Sequence, residues 1–377
     1  MNLASTRESS LRFAGAVALG LLIFGGFVAA IGKSPLEVYT TIFEGAFAST
    51  FSWQNTLLRA APLILTGLAV AIPAQAGLMV IGAEGALVLG GLATAALAAH
   101  VPGPALVVQV LALAAGICAG GVWLGLTGLL RARRGLNETI CSLLLSYIAI
   151  AIFNFLVEGA LRDPASLNKP STLPINDALM IGSMPGVDIH WGLAIGVVCA
   201  LAAQVVLSRT TWGFGLRVTG GNQRVARLAG LPVTLLIVAA CAAGGAAAGL
   251  AGGIEVLAVH GSANASLIAG YGYTGILVAF LARQQPLGCV PVAVLLGGIG
   301  AAGSLLQRRM DLPDATTLVL QGVLFVCILA ADSISFRVRR KSPAVAPTVV
   351  ASPEPGAAAV EIAPLPSLRG RAGVAAE

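Results

Sequence analysis

Gly85–Leu130 reads GALVLGGLATAALAAHVPGPALVVQVLALAAGICAGGVWLGLTGLL, 46 residues without one Asp, Glu, Lys or Arg. A helical crossing of the roughly 30 Å hydrocarbon core of a bilayer takes about 20 apolar residues. The stretch is therefore long enough for two crossings, and His100-Val-Pro-Gly-Pro104 supplies the turn between them. It shows no alternation of apolar and polar positions, so barrel strands are excluded and helices remain.

The rest of the chain divides in the same way. Uncharged runs occupy Phe13–Gly32, Ala60–Ala83, Thr139–Val157, Ile189–Ser208, Leu228–Ile254, Val256–Ala282, Gln284–Gln307 and Ala315–Ala331, and Pro73-Ala-Gln-Ala-Gly77 interrupts the second of these. The expectation is ten segments in an all-α, polytopic integral membrane protein. One transmembrane domain over 13–335 follows a short N-terminus, 1–12. A Pro-broken, Ala- and Val-rich tail, 336–377, is expected to be disordered.

Composition agrees. Of 377 residues, 57% are hydrophobic and 10% charged, against about 25% charged in a soluble domain. So few charges cannot coat a water-facing surface of this size. A soluble enzyme, a disordered chain and a nucleic-acid binder are all excluded, despite a net charge of +6. With 47 Gly, close helix contacts are expected to run through small residues. Gly245, Gly249 and Gly253, four apart, make one smooth helix face. The six Cys are scattered singly and read as inert buried thiols. The first apolar run is too long for a cleaved signal peptide.

Lys and Arg set the orientation. With an inside N-terminus and alternating spans, the inside receives Arg7, Arg12, Arg131, Arg133, Arg134, Arg209, Arg217, Arg224, Arg227, Arg283 and the cluster Arg337, Arg339, Arg340 and Lys341. The outside receives only Lys33, Arg59, Arg162, Lys169, Arg308 and Arg309. Both termini are thus expected in the cytoplasm, with 33–58 and 161–188 as long outer connections and 209–230 as a long inner one. Arg308-Arg309 fits this scheme worst.

Chemical motifs are sparse. Gly32-Lys33-Ser34 resembles the end of a phosphate-binding loop, but the required first Gly would fall at position 27, which is Phe. No ATPase site of its own is therefore expected. His100, His190 and His260 lie far apart, which gives no metal site, and no Gly-x-Ser-x-Gly elbow supports hydrolase chemistry. No catalytic residue is assigned. Three acidic residues, Glu84, Glu138 and Glu255, come close to membrane depth. Such charges cost about 2.5–3.5 kcal/mol to insert and so face cavities or partners. Glu84 is the deepest and is the candidate for a gate or a cavity lining. In the inner connection, Asn222 caps a short basic helix that runs to Leu228 and is stopped by Gly230 and Pro232. It would lie on the membrane surface or dock a soluble partner.

Six motifs then occur in order. They are Ala61-Pro-Leu-Ile-Leu-Thr-Gly67, Ile81-Gly-Ala-Glu-Gly85, Gly135-Leu-Asn-Glu-Thr-Ile140 with Tyr147-Ile-Ala149, Gly220-Gly-Asn-Gln-Arg-Val-Ala-Arg-Leu-Ala-Gly230, Ala248-Gly-Leu-Ala-Gly252, and Gly270-Tyr-Gly-Tyr-Thr-Gly-Ile-Leu-Val-Ala279 followed by Pro286-Leu-Gly288. Over about residues 10–335 the chain resembles the permease subunit of bacterial ABC importers, in the branch shared by simple-sugar and nucleoside uptake systems. It departs from that pattern at Val80, Ala86 and Ser146. The resemblance implies the translocation subunit of an ATP-driven importer in the bacterial inner membrane. It implies a substrate pathway at Glu84, Ser142, Ser146 and Tyr147. It also implies an ATPase-coupling loop at Gly221, Asn222, Arg224, Ala226, Arg227 and Gly230. Arg224 and Arg227, three apart, would enter an acidic groove, with small Ala226 and Ala229 admitting a close approach. Implied partners are a cytoplasmic ABC ATPase, a second permease (homologous or identical), an extracytoplasmic solute-binding protein and the lipid bilayer. No cofactor is bound directly; ATP is used by the ATPase. The rival class, an ion-coupled secondary transporter, requires protonatable groups at mid-membrane and internal repeats, for which Glu84 alone is thin support.

Overall fold

A computed structural model describes residues 3–340, which are helical throughout apart from connections; among them there are no strands, only isolated bridges such as Arg162–Thr172 and Ser171–Asn264. The chain divides into a unit ending at Ala331 and a second beginning at Asp332. The fold below is that of the first. The tail expected from 336 is described only to Arg340, where the last helix ends, and the rest lies outside the described residues.

Seven helices are long and apolar enough to cross a membrane: α3 (Thr50–Ala74), α4 (Ala83–His100), α5 (Ala105–Arg134), α6 (Glu138–Glu158), α7 (Gly192–Arg209), α10 (Val233–Glu255, extended to His260 by a π turn) and α12 (Cys289–Met310). A pair bent by 115°, α1 (Leu3–Ala30) and α2 (Pro35–Phe47), adds an eighth. Two shorter apolar segments complete the set, one ending in α11 (Tyr271–Leu281) and the other within α13 (Ala315–Arg340). Among the described residues, seven or eight helices are long enough to cross, and the other two of the ten expected segments are shorter apolar helices. The uncharged run 256–282 contains a break and only a half-length helix. The outer connection expected over 33–58 is mostly helix, since α2 occupies its first half and α3 starts at Thr50.

The centre of the bundle is α10, packed against α5, α4 and α3. Glycine makes this possible. A Cβ at Gly249 would collide with the Gly116 carbonyl, one at Gly245 with the Gly120 carbonyl, and one at Gly252 with the Leu87 carbonyl. Gly244 meets the Ala69 carbonyl of α3, which Pro73, lacking an N–H, leaves without its helical donor. Thr94 closes the α4–α5 contact by donating to the Gly90 and Ala112 carbonyls at 2.9 and 3.1 Å. In consequence α3 and α4 are mostly buried, while α5, α6 and α7 expose most of their surface.

Two segments outside the long helices interrupt the core. Residues 75–82, between α3 and α4, bury Ala76, Leu78 and Val80. Irregular backbone at membrane depth is tolerated only where protein satisfies its polar groups. Here α6 does so: Ser142 Oγ accepts from the Ile81 N–H at 3.0 Å, and Thr139 Oγ1 donates to the Met79 carbonyl at 2.8 Å. The other segment, 261–270, joins the π turn to α11 and is bounded by left-handed Gly261 and Gly270 (φ 64° and 79°).

Candidate functional site

The two interruptions meet at Glu84. It stands in the first turn of α4, fully buried, and its carboxylate accepts from the Gly270 N–H at 2.8 Å and the Gly272 N–H at 2.5 Å. Those groups open α11, so one carboxylate from α4 caps the positive end of another helix. The approach is close because position 272 has no side chain: a Cβ there would collide with the Glu84 backbone. One residue further, Ser146 Oγ of α6 accepts from the Gly85 N–H at 3.2 Å. Glu84, Ser142 and Ser146 thus form one connected buried assembly. Tyr147 turns away from it, 59% exposed on α6. It lies within electrostatic reach of Tyr273, a partly exposed residue of α11 that also feels the Glu84 charge. The pair places two aromatic rings on an open face beside the node.

A second polar cluster was only partly legible in the sequence. Glu255, 4% exposed at the end of α10, has Oε2 3.6 Å from His260 Nε2. In an α-helix of about 3.6 residues per turn, positions five apart point to different faces. The π turn, marked by the Gly261 N–H donating to the Val256 carbonyl at 2.9 Å, brings them together. Arg59 and Tyr271 lie within electrostatic reach of Glu255. Nothing in the spacing of Arg59, Glu255, His260 and Tyr271 signals this meeting. The connection 159–191 laces over it: the Thr172 N–H donates to the Ala263 carbonyl at 2.9 Å, the Ile181 N–H to the Leu257 carbonyl at 2.7 Å, and Lys169 Nζ to Ser266 Oγ at 2.7 Å.

At the opposite end of the bundle, α8 (Thr211–Gly221) and α9 (Gln223–Leu228) form a compact hairpin. Asn222 caps α9, its side chain accepting from the Arg224 and Val225 N–H groups at 2.9 and 3.3 Å, and Gly230 (φ 77°) turns the chain back, as the sequence predicts. The faces differ from expectation in one respect. Ala226 is buried against the bundle instead of being turned to a partner; Arg224 and Leu228 lie opposite it, with Leu228 89% exposed. The hairpin touches the core through glycine. A Cβ on Gly220 would collide with the Gln75 carbonyl, and Gly77 (φ 74°) lies against Gly220. Gln75 in turn donates from Nε2 to the Gln284 carbonyl beyond α11 at 2.9 Å. The hairpin, the irregular segment 75–82, the Glu84 node and α11 are therefore in continuous contact.

Residues 52–329 match the family model described as branched-chain amino acid transport system / permease component. The chain belongs to this permease family. Among curated permeases, it is 32% identical over 327 residues to the glucose ABC transporter permease protein TsgB13 of Haloferax volcanii, covering 84% of this chain and 86% of that one. It is 29% identical to the guanosine ABC transporter permease protein NupP of Bacillus subtilis (85% and 93% covered). It is 26% identical to the nucleoside ABC transporter permease protein NupB of Lactococcus lactis (82% and 88% covered). The resemblance in the motifs was to this group. A permease of this family is a multi-pass transport component that works with an ATPase and a solute-binding protein. Among the described residues no cluster of His, Cys, Asp or Glu is arranged to hold a metal ion.

Proposed function

We propose that this chain is the membrane-spanning subunit of an ATP-driven importer for a nucleoside or simple sugar. It sits in the bacterial inner membrane with both termini cytoplasmic. It carries no ATPase site, binds no cofactor, and pairs with a second, homologous or identical, permease. A cytoplasmic ATPase docks on α8–α9, and a binding protein delivers solute at the 159–191 end. The relatives named for glucose, guanosine and nucleosides support the solute class. The exposed Tyr147 and Tyr273 rings suit it, because sugar and base faces stack on aromatics.

The observation that carries the coupling role is the glycine contact between Gly220 and Gln75–Gly77. Closure of the ATPase dimer would push α9. The load passes through Gly220 to the 75–82 segment and on to Glu84, whose bonds to Gly270 and Gly272 tie it to α11. Two broken helices then shift about one node, which is a means of alternating access. The docking face is Arg224, Val225 and Leu228. Arg224→Glu with Leu228→Asp should abolish co-purification of the cognate ATPase in detergent and stop uptake, while leaving insertion and thermal midpoint unchanged. Intact complex and intact uptake would overturn the assignment.

A further inference from the structure

Two adjoining cavities lie where α5 ends, between it, α9 and the start of α10. One, of about 230 Å³, is bordered by Arg131, Gln223, Arg227 and Thr234. The other, a larger space of about 590 Å³, is walled by Leu129, Leu231, Leu235 and Val238 with Arg133 at its rim. Arg227, Val233 and Thr234 border both, so the polar cavity adjoins the apolar groove. Charge is in surplus here. Arg131 is 3.3 Å from Glu138, but among the described residues neither Arg133 nor Arg227 makes an ion pair. Three guanidinium groups thus line the two cavities, and one of them is paired with a carboxylate.

We propose that this paired cavity is a binding site for one anionic phospholipid of the leaflet on the α8–α9 side. The phosphate lies among Arg131, Arg133 and Arg227, and an acyl chain runs along the groove between α5 and α10. The axial order of side chains matches such a molecule: Leu129 lines the groove and Arg133, one turn on and about 6 Å along the helix, stands at the rim. Guanidinium binds phosphate with two parallel hydrogen bonds, and basic pockets between membrane helices suit anionic headgroups. A free phosphate would need only the polar half; the apolar half argues for a lipid. The seat joins α9 to α5 and does not depend on which solute is carried.

Native mass spectrometry of the full-length chain, stripped of lipid in detergent, tests this with phosphatidylglycerol, phosphatidylcholine and inorganic phosphate as probes. The expected result is one phosphatidylglycerol per chain, bound in preference to phosphatidylcholine and not displaced by excess phosphate. Arg133→Gln with Arg227→Gln should weaken it roughly thirty-fold, about fivefold for each arginine. Thr234→Trp, which fills the junction of the cavities without changing charge, should remove it as well. Arg134→Gln, one residue outside the lining, should leave it unchanged. Equal binding of the two lipids, or displacement by phosphate, would overturn the proposal. So would full binding by folded Thr234→Trp, or an Arg134→Gln loss equal to that of the double variant. If Thr234→Trp fails to fold, the glutamine pair and the phosphate competition still decide.

Discussion

The carboxylate at position 84 accepts from two backbone N–H groups, those of Gly270 and Gly272, at the start of α11. Glu84→Gln keeps the shape but presents an amide N–H₂ to one of the two donors. A buried hydrogen bond to a charged group contributes about 1.5–3 kcal/mol, so Glu84→Gln should lower the thermal midpoint in detergent by several degrees, and Glu84→Ala by more. Scanning fluorimetry of the purified chain checks this, and an unchanged midpoint for Glu84→Ala would remove the stapling role. His190, just before α7, tests a proton. The Gly192 N–H donates to its Nδ1 at 3.1 Å, and burial pushes its imidazole below the usual range. The folded chain therefore prefers neutral His190, while the unfolded chain takes up a proton near pH 6.5. The stability from this preference is fully present above about pH 6.5 and is lost as the pH falls below it. His190→Asn should flatten the fall in thermal midpoint between pH 7 and pH 5 relative to the parent chain.

Among elements, α10 shows what its glycines do. Gly249→Ala would drive a Cβ into the Gly116 carbonyl, and overpacking of this kind costs about 1–3 kcal/mol. Gly26→Ala in α1 is the contrast: nothing stands within 4 Å of that Cβ, and alanine is favoured over glycine in a helix by about 0.5–1 kcal/mol. The first change should lower the thermal midpoint and the second leave it equal or higher; equal losses would mean that glycine in α10 is not there for contact. The glycine repeat and the Asn222–Gly230 helix were legible because each depends on local spacing and capping. The break at Pro73–Gly77 was legible for the same reason. The break after Glu255 was not, because the run to Ala282 is uncharged throughout and the π turn arises from tertiary packing. The α2 helix lay hidden in the expected outer connection 33–58, because Glu37 and Glu44 keep that stretch from forming a long uncharged run. Glu84 was found by its cost in lipid, but its partners are backbone N–H groups, and no residue type announces those.

For the whole molecule, the open question of the sequence was the Arg308-Arg309 pair on the side poor in positive charge. Arg309 makes an ion pair with Glu44 of α2, so this charge is matched locally. Long-range placement then rests on the unmatched arginines near α5, α8 and α9, and on Lys and Arg counts near span ends. The bundle agrees internally: the ends of α3, α5 and α7 meet the α8–α9 hairpin at one end, while 159–191 laces over the π turn at the other. If the first end is cytoplasmic, Ala229→Cys on a Cys-free background should resist a membrane-impermeant maleimide in sealed cells and react once they are permeabilised. Asn168→Cys should react in sealed cells. Both positions are exposed, so accessibility alone does not separate them and the membrane must. Labelling at 229 in sealed cells, with none at 168, would invert the molecule. It would also place the hairpin where no ATP is present, which would remove the coupling role along with the orientation.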